Sequence, residues 1–190
     1  MKIEFHYSNI YDDMLTEMSK KTQDLMQIRE VQRFMKTFEF GWTQREKKII
    51  LAIEKFSGLK FKKNLTCYFV KNMFFPAMSI PLTLRISKNL KSTENILIHE
   101  LIHNIFSQNE KTLIKPLSHS YPDDDWDFRI HVPLLLIQQR VMESVYGKKE
   151  AEAFIKKNKQ IFGPEWAEVA RIQKKYKNNL LKFLTNETLE

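Results

Sequence analysis

Residues 99 to 103 read His-Glu-Leu-Ile-His. On a helix, His99 and His103 are four apart and lie on one face, one above the other. That spacing lets two imidazoles reach one metal ion. Glu100 beside them is placed to take a proton from a water that the metal acidifies. The chemistry expected is metal-assisted hydrolysis, with Zn2+ as the cofactor and Glu100 as the catalytic general base. The flanks agree. Ile96, Leu97 and Ile98 precede the pattern, Asn104, Ile105 and Phe106 follow it, and Leu101 and Ile102 fill it. None is charged, so the helix is expected to be buried away from the metal, which holds the imidazoles rigid. A charged Glu100 amid aliphatic residues also needs a partner, and a metal centre provides the reason for it.

Two histidines leave a catalytic zinc site incomplete, because three protein ligands and one open position are usual. The candidates for the third ligand are His131, Glu143, His119 and the acidic run Asp123-Asp124-Asp125-Trp126-Asp127. His131 is favoured. It is expected at the start of a helix that Pro133 stiffens, and a ligand on a rigid element is placed more precisely than one on a loop. A carboxylate of the acidic run can instead accept the second ring N–H of a ligand histidine, or bind its own backbone in a turn. Tyr121 and His119 are candidates to stabilise an oxyanion.

The elements that must hold these residues follow from periodicity. Residues 2 to 6 alternate as a short strand. A long helical stretch runs from about 9 to 38 and is expected to break at Gly41. Thr43-Gln44-Arg45-Glu46 has the spacing of a capping box, which predicts a second helix from 44 to about 56 that Gly58 ends. Residues 65 to 71 and 79 to 87 read as strands. Pro81 predicts an edge position for the second of these, and an extended peptide substrate could pair with it. The helix carrying the histidines is expected over about 93 to 107, capped within Ser92-Thr93-Glu94-Asn95. Residues 108 to 130 read as irregular. A third major helix is expected from Val132 to about Tyr146, ended by Gly147, and residues 148 to 185 as basic helix broken near Gly163-Pro164. The expected fold class is α+β. It is a helix-rich single domain over 1–190, with a small mixed or antiparallel sheet whose edge strand precedes the metal-binding helix. The basic segment from about 148 to 185 is expected to pack on it.

Composition narrows the function classes. The formal net charge is +8, and there are 4 glycines and 1 cysteine. The basic residues occur as scattered pairs such as Lys62-Lys63 and Lys156-Lys157, with no block of five, so solvated helix faces are expected and a nucleic-acid partner is not. A single cysteine excludes an internal disulfide and a cysteine-based zinc site, and the apolar neighbours of Cys67 mark it as a core thiol. The N-terminus has no long apolar h-region and no stretch has the length of a membrane span, so the cytoplasm is the expected compartment.

Residues 96 to 105 resemble the active-site helix of the zincin superfamily of metallopeptidases. The resemblance implies a zincin-like fold and a peptide or protein substrate. It is not to the metzincin branch, whose extended motif places Gly and a third His soon after; Ser107-Gln108-Asn109-Glu110 has neither. The thermolysin-like branch takes a Glu from the next helix, which would implicate Glu143; that branch's Asp four residues on is replaced by Gly147. The segment from His131 to Gly147 is similar to the downstream half of small HExxH proteins of bacteria and archaea. The rival expectation is a non-catalytic zinc-binding regulatory or interaction protein, which a fourth protein ligand would favour.

Overall fold

Ile3–His6 forms strand β1, in which Ile3 and Phe5 are buried while Glu4 and His6 face outward. This period of two is what alternating apolar residues dictate. The computed structural model describes residues 1–20 and 25–176, without the side chains of 25, 114–116, 119 and 176. After β1 come α1 (Asn9–Met18), α2 (Leu25–Thr43) and α3 (Glu46–Ser57). Strands β2 (Leu65–Val70), β3 (Ala77–Ser79) and β4 (Leu82–Arg85) follow. The chain then continues as α4 (Leu90–Gln108), α5 (Glu110–Ser120), α6 (Trp126–Tyr146), α7 (Lys148–Asn158) and α8 (Gly163–Tyr176). The described residues form an α+β structure, rich in helix, with one small mixed sheet of order β1-β2-β4-β3. β1 and β4 each run parallel to β2, and β3 runs antiparallel to β4.

The chain divides into two compact units, Met1–Lys47 with Phe61–Asn104, and Lys48–Lys60 with Ile105–Glu190. The first holds the sheet. Phe34, Phe38 and Trp42 recur every four residues along α2 and share one face. Phe38 lies 5.2 Å from Phe69 of β2 and 5.6 Å from Phe5 of β1, both edge-on. α1 meets β4 and the end of β2 with the residues that follow it. Its Tyr11 hydroxyl bonds that of Thr83, Asp12 accepts the Lys71 N–H at 2.9 Å, and Leu15 clusters with Val70 and Met73. In the second unit, α6 packs against α7 and α8. Val132, Leu135, Val141, Met142, Ala151, Phe154, Trp166, Val169 and Ile172 are buried there.

Several boundaries differ from the sequence reading, each for a local reason. The single helix expected from 9 to 38 is two, α1 and α2, and the junction at 21–24 is outside the described residues. Gly41 lies inside α2. Its helix cost of about 1 kcal/mol is outweighed by the aromatic contacts of Phe38 and Trp42 on either side. The Thr43–Glu46 spacing makes no capping box, since Glu46 accepts the Ile3 N–H at 2.8 Å and the Thr43 hydroxyl donates to the Phe40 carbonyl. Gly58 does end α3, with φ +67°.

The strand expected over 79 to 87 is a hairpin. The chain turns at Ile80-Pro81, between β3 and β4. Pro81 ends a strand here rather than marking an edge one, so β4 sits inside the sheet and β3 is the edge. Residues 110 to 120, read as irregular, are the helix α5. α6 begins at Trp126 because the Asp125 carboxylate caps the Phe128 N–H at 2.7 Å. Pro133 is therefore inside α6, not in its first turn, and His131 is in the second turn. The break near Gly163-Pro164 falls between α7 and α8, and residues 177–185 of the expected basic segment are outside the described residues.

Two outcomes test this packing. Cys67 is fully buried, and burial first, with the Glu100 carboxylate second, pushes its thiol well above the usual range. A thiol reagent such as DTNB should therefore label Cys67 only after denaturation; fast native labelling would contradict this core. Arg45 grips Glu94 with two bonds, at 2.9 and 3.2 Å, and only 6% of the Glu94 side chain is exposed. Arg45→Met strands that carboxylate and should lower unfolding free energy by about 2 kcal/mol in urea titrations, with part recovered by adding Glu94→Leu.

Candidate metal centre

α4 starts earlier than Ser92. Asn89 caps it, accepting the Ser92 N–H at 3.0 Å, so the first turn begins at Leu90. Thr93, expected near the cap, and Glu94, expected as a first-turn acid, instead lie past the cap and are buried. Leu97, Ile98, Leu101, Ile102 and Ile105 are wholly buried. Ser92, Ile96, His99, His103 and Ser107, spaced by three or four, form a stripe that stays partly open. The two imidazoles stand on this stripe, with ring centroids 4.9 Å apart. Burial on the other sides fixes their Cα positions.

Glu100 borders that stripe on the helix and is buried. Its Oε2 accepts the Ser79 hydroxyl at 2.5 Å. Ser79 is the last residue of edge strand β3, and its carbonyl accepts the Asn104 side-chain N–H at 2.9 Å. The same amide nitrogen also donates to the Glu100 carbonyl at 2.9 Å. Ser79 and Asn104 thus form a clasp that joins the end of β3 to α4 beside Glu100. Burial raises the Glu100 carboxyl above the usual carboxylate range, and the Ser79 hydrogen bond partly opposes it.

His131 is placed by its own unit. Its Nδ1 lies 2.8 Å from the Asp127 carbonyl oxygen, one turn earlier on α6. A carbonyl only accepts, so Nδ1 carries the hydrogen and the neutral ring keeps its lone pair on Nε2. The Phe162 ring stacks on this imidazole, with centroids 4.9 Å apart and planes 28° from parallel.

One ligating atom from each of His99, His103 and His131 lies within 4.8 Å of the other two. Nitrogens on a tetrahedral zinc, at about 2.0–2.1 Å from it, stand on the order of 3.4 Å apart. Three imidazoles are also a donor set suited to zinc. The residues fit the metal. Among the described residues this group has no fourth protein member.

Among the described residues, no other candidate ligand joins this group. Glu143 is 12 residues after His131 on α6, about 18 Å along the axis and about 120° around it. Its carboxylate accepts from Gln139 at 2.8 Å and Arg140 at 3.1 Å. Within the acidic run, Asp125 caps α6 and Asp127 acts through its backbone carbonyl. His119 is on α5, and its side chain is outside the described residues. Tyr121 is buried, and its hydroxyl donates to Glu168 at 3.1 Å. Burial, then the Glu168 charge and bond, raise its pKa far above the ordinary phenol.

Sequence reasoning missed Ser79, Arg45 and Phe162 as supports. Nothing local marks them, because each acts across a long stretch of chain. Asn104 did carry a signal: an amide alone among Ile102, Ile105 and Phe106 has to bond something. No protein-family model matches the chain, and neither the curated proteins nor the solved structures give a match.

The placement of the candidates yields a discriminating outcome. Elemental analysis of purified protein should find one metal ion per chain in wild type and in Glu143→Ala, and loss of it in His131→Ala. Metal retained without His131 would remove it from the site.

Proposed function

We propose that this protein is a zinc-dependent hydrolase that cleaves peptide bonds. The observation carrying the proposal is the group His99, His103 and His131 with the buried Glu100 adjacent to two of its members. Three histidines leave a fourth coordination position open, which is the pattern of catalytic rather than structural zinc. When bound, zinc would supply Lewis acidity toward a carbonyl and lower the pKa of the attacking water.

The chain's own residues account for the rest. His99 and His103 are held by a helix that cannot shift without disturbing its buried face. Glu100 accepts the proton of the attacking water and returns it to the leaving amine. Its raised proton affinity, caused by burial, suits that double task, because a base above the usual carboxylate range holds the proton it has taken until the amine leaves. Ser79 holds Oε2, which fixes the carboxylate rotamer and leaves Oε1 as the acceptor. β3 adds the substrate argument. It is one of the sheet's two edge strands among the described residues, and it ends at the residue that touches Glu100. A peptide paired along β3 in extended form would be delivered to the general base, and backbone pairing accepts many side chains.

Glu100→Gln should keep stoichiometric zinc and lose at least about 100-fold in hydrolysis of an unstructured protein such as casein. Full turnover with zinc retained would exclude Glu100 as the base. Ser79→Ala should also keep zinc and lower kcat by about tenfold with KM little changed. A KM effect alone would assign Ser79 to substrate binding instead.

A further inference from the structure

We propose that Phe162, in the elbow between α7 and α8, is a positioning residue for His131 and sets the metal affinity of the site. The proposal rests on the three-histidine reading above and extends it to a part of the chain that carries no ligand.

A ring attached at Cβ has two torsions that place its nitrogen. The bond from Nδ1 to the Asp127 carbonyl restrains one direction in the plane of the His131 ring. It does not stop the ring from tilting about that bond. A face-on neighbour does, and Phe162 is one, lying nearly parallel to the imidazole at 4.9 Å. The two contacts are complementary. One fixes the tautomer and the in-plane direction, and the other fixes the plane. With both, Nε2 is aimed in a single direction before a metal arrives, and little side-chain entropy remains to be lost on binding.

The elbow itself is built to be stiff. The Phe162 N–H donates to the Asn158 carbonyl at 2.9 Å, and its carbonyl accepts the Trp166 N–H at 3.0 Å. Ile161 donates to the same Asn158 carbonyl, and the Asn158 side chain donates back to the Phe154 carbonyl at 3.0 Å. Phe154 and Trp166, one on each side of the elbow, are buried. Phe162 is thereby held between two anchored helices, α7 and α8, that both pack on α6, the helix that carries His131. A mere surface loop would not restrain an imidazole this way. The C-terminal helices, whose lysines look only like a solvated basic face, acquire a specific task.

The test uses the full chain with Phe162→Ala, Phe162→Leu and Phe162→Tyr. Zinc affinity is measured by competition with a chromophoric chelator, and the visible spectrum is recorded after Co2+ substitution. Metal-free melting temperatures report the fold separately. Phe162→Ala should weaken zinc binding at least about tenfold and shift the cobalt bands. Phe162→Tyr should restore both, and Phe162→Leu, which keeps bulk but not the ring face, should restore neither. If Phe162→Ala does not fold, the Tyr and Leu variants decide alone. Wild-type affinity and spectrum in Phe162→Ala, or full rescue by Leu, overturns the positioning role and leaves the zinc site standing. A wild-type chain that takes up no zinc, or keeps it after His131→Ala, overturns both.

Discussion

A helix buried on most of its surface has to satisfy every polar group it takes inside, and α4 is such a helix. It carries Glu94, Glu100 and Asn104 among residues that are wholly buried. An unpaired carboxylate in that setting costs several kcal/mol, more than one aliphatic contact returns. The surrounding chain is arranged around that cost. Arg45 comes from the turn after α2 to meet Glu94, and Ser79 comes from β3 to meet Glu100. Asn104 closes the set by joining the Ser79 carbonyl to the Glu100 carbonyl. Each partner belongs to a different element, so satisfying α4 fixes where those elements end.

The two acids are not satisfied alike. Glu94 has a guanidinium with two bonds, a full opposite charge in fork geometry. Glu100 has one hydroxyl, which only partly opposes the upward push that burial gives its carboxyl. In a helix built only for stability, the cheaper solution at position 100 is an aliphatic residue. Retaining an incompletely compensated acid next to two histidines is costly unless the site uses it. In the proposed centre a divalent ion on the histidines supplies the missing positive charge. In that proposed centre the same incompleteness would suit Glu100 to the proton transfers of a general base.

The sequence showed this helix well because its evidence is local: the histidine spacing, the uncharged flanks and the period of the apolar residues all sit within twenty positions. β1, β2, α3 and its ending at Gly58 were legible for the same reason. Errors arose where a local signal had two physical meanings. Pro81 reads equally as an edge-strand residue or as a turn, and only the pairing of β4 between β2 and β3 separates these. Pro133 reads as a first-turn proline, yet Asp125 caps the helix eight positions earlier. Glu46 has capping-box spacing, but the Ile3 N–H, remote in sequence, takes its carboxylate. In each case a contact from elsewhere in the chain decided between readings that the local residues left equal.

The choice among third ligands shows the same principle from the other side. His131 was favoured for standing at a helix start, and that reason does not hold, since it lies in the second turn of α6. What distinguishes it from Glu143 is orientation. The carboxylate of Glu143 is committed to Gln139 and Arg140 on its own helix, as a surface-type pair at helical spacing. His131 has its tautomer set by a backbone carbonyl that a helix supplies without cost, one turn earlier. Any histidine inside a helix faces such a carbonyl, so the bond alone does not mark a ligand. The distinguishing feature is the second restraint, an aromatic face brought from an elbow whose backbone is hydrogen-bonded on both sides. In the proposed centre, these two restraints together would leave His131 presenting one lone pair in one direction.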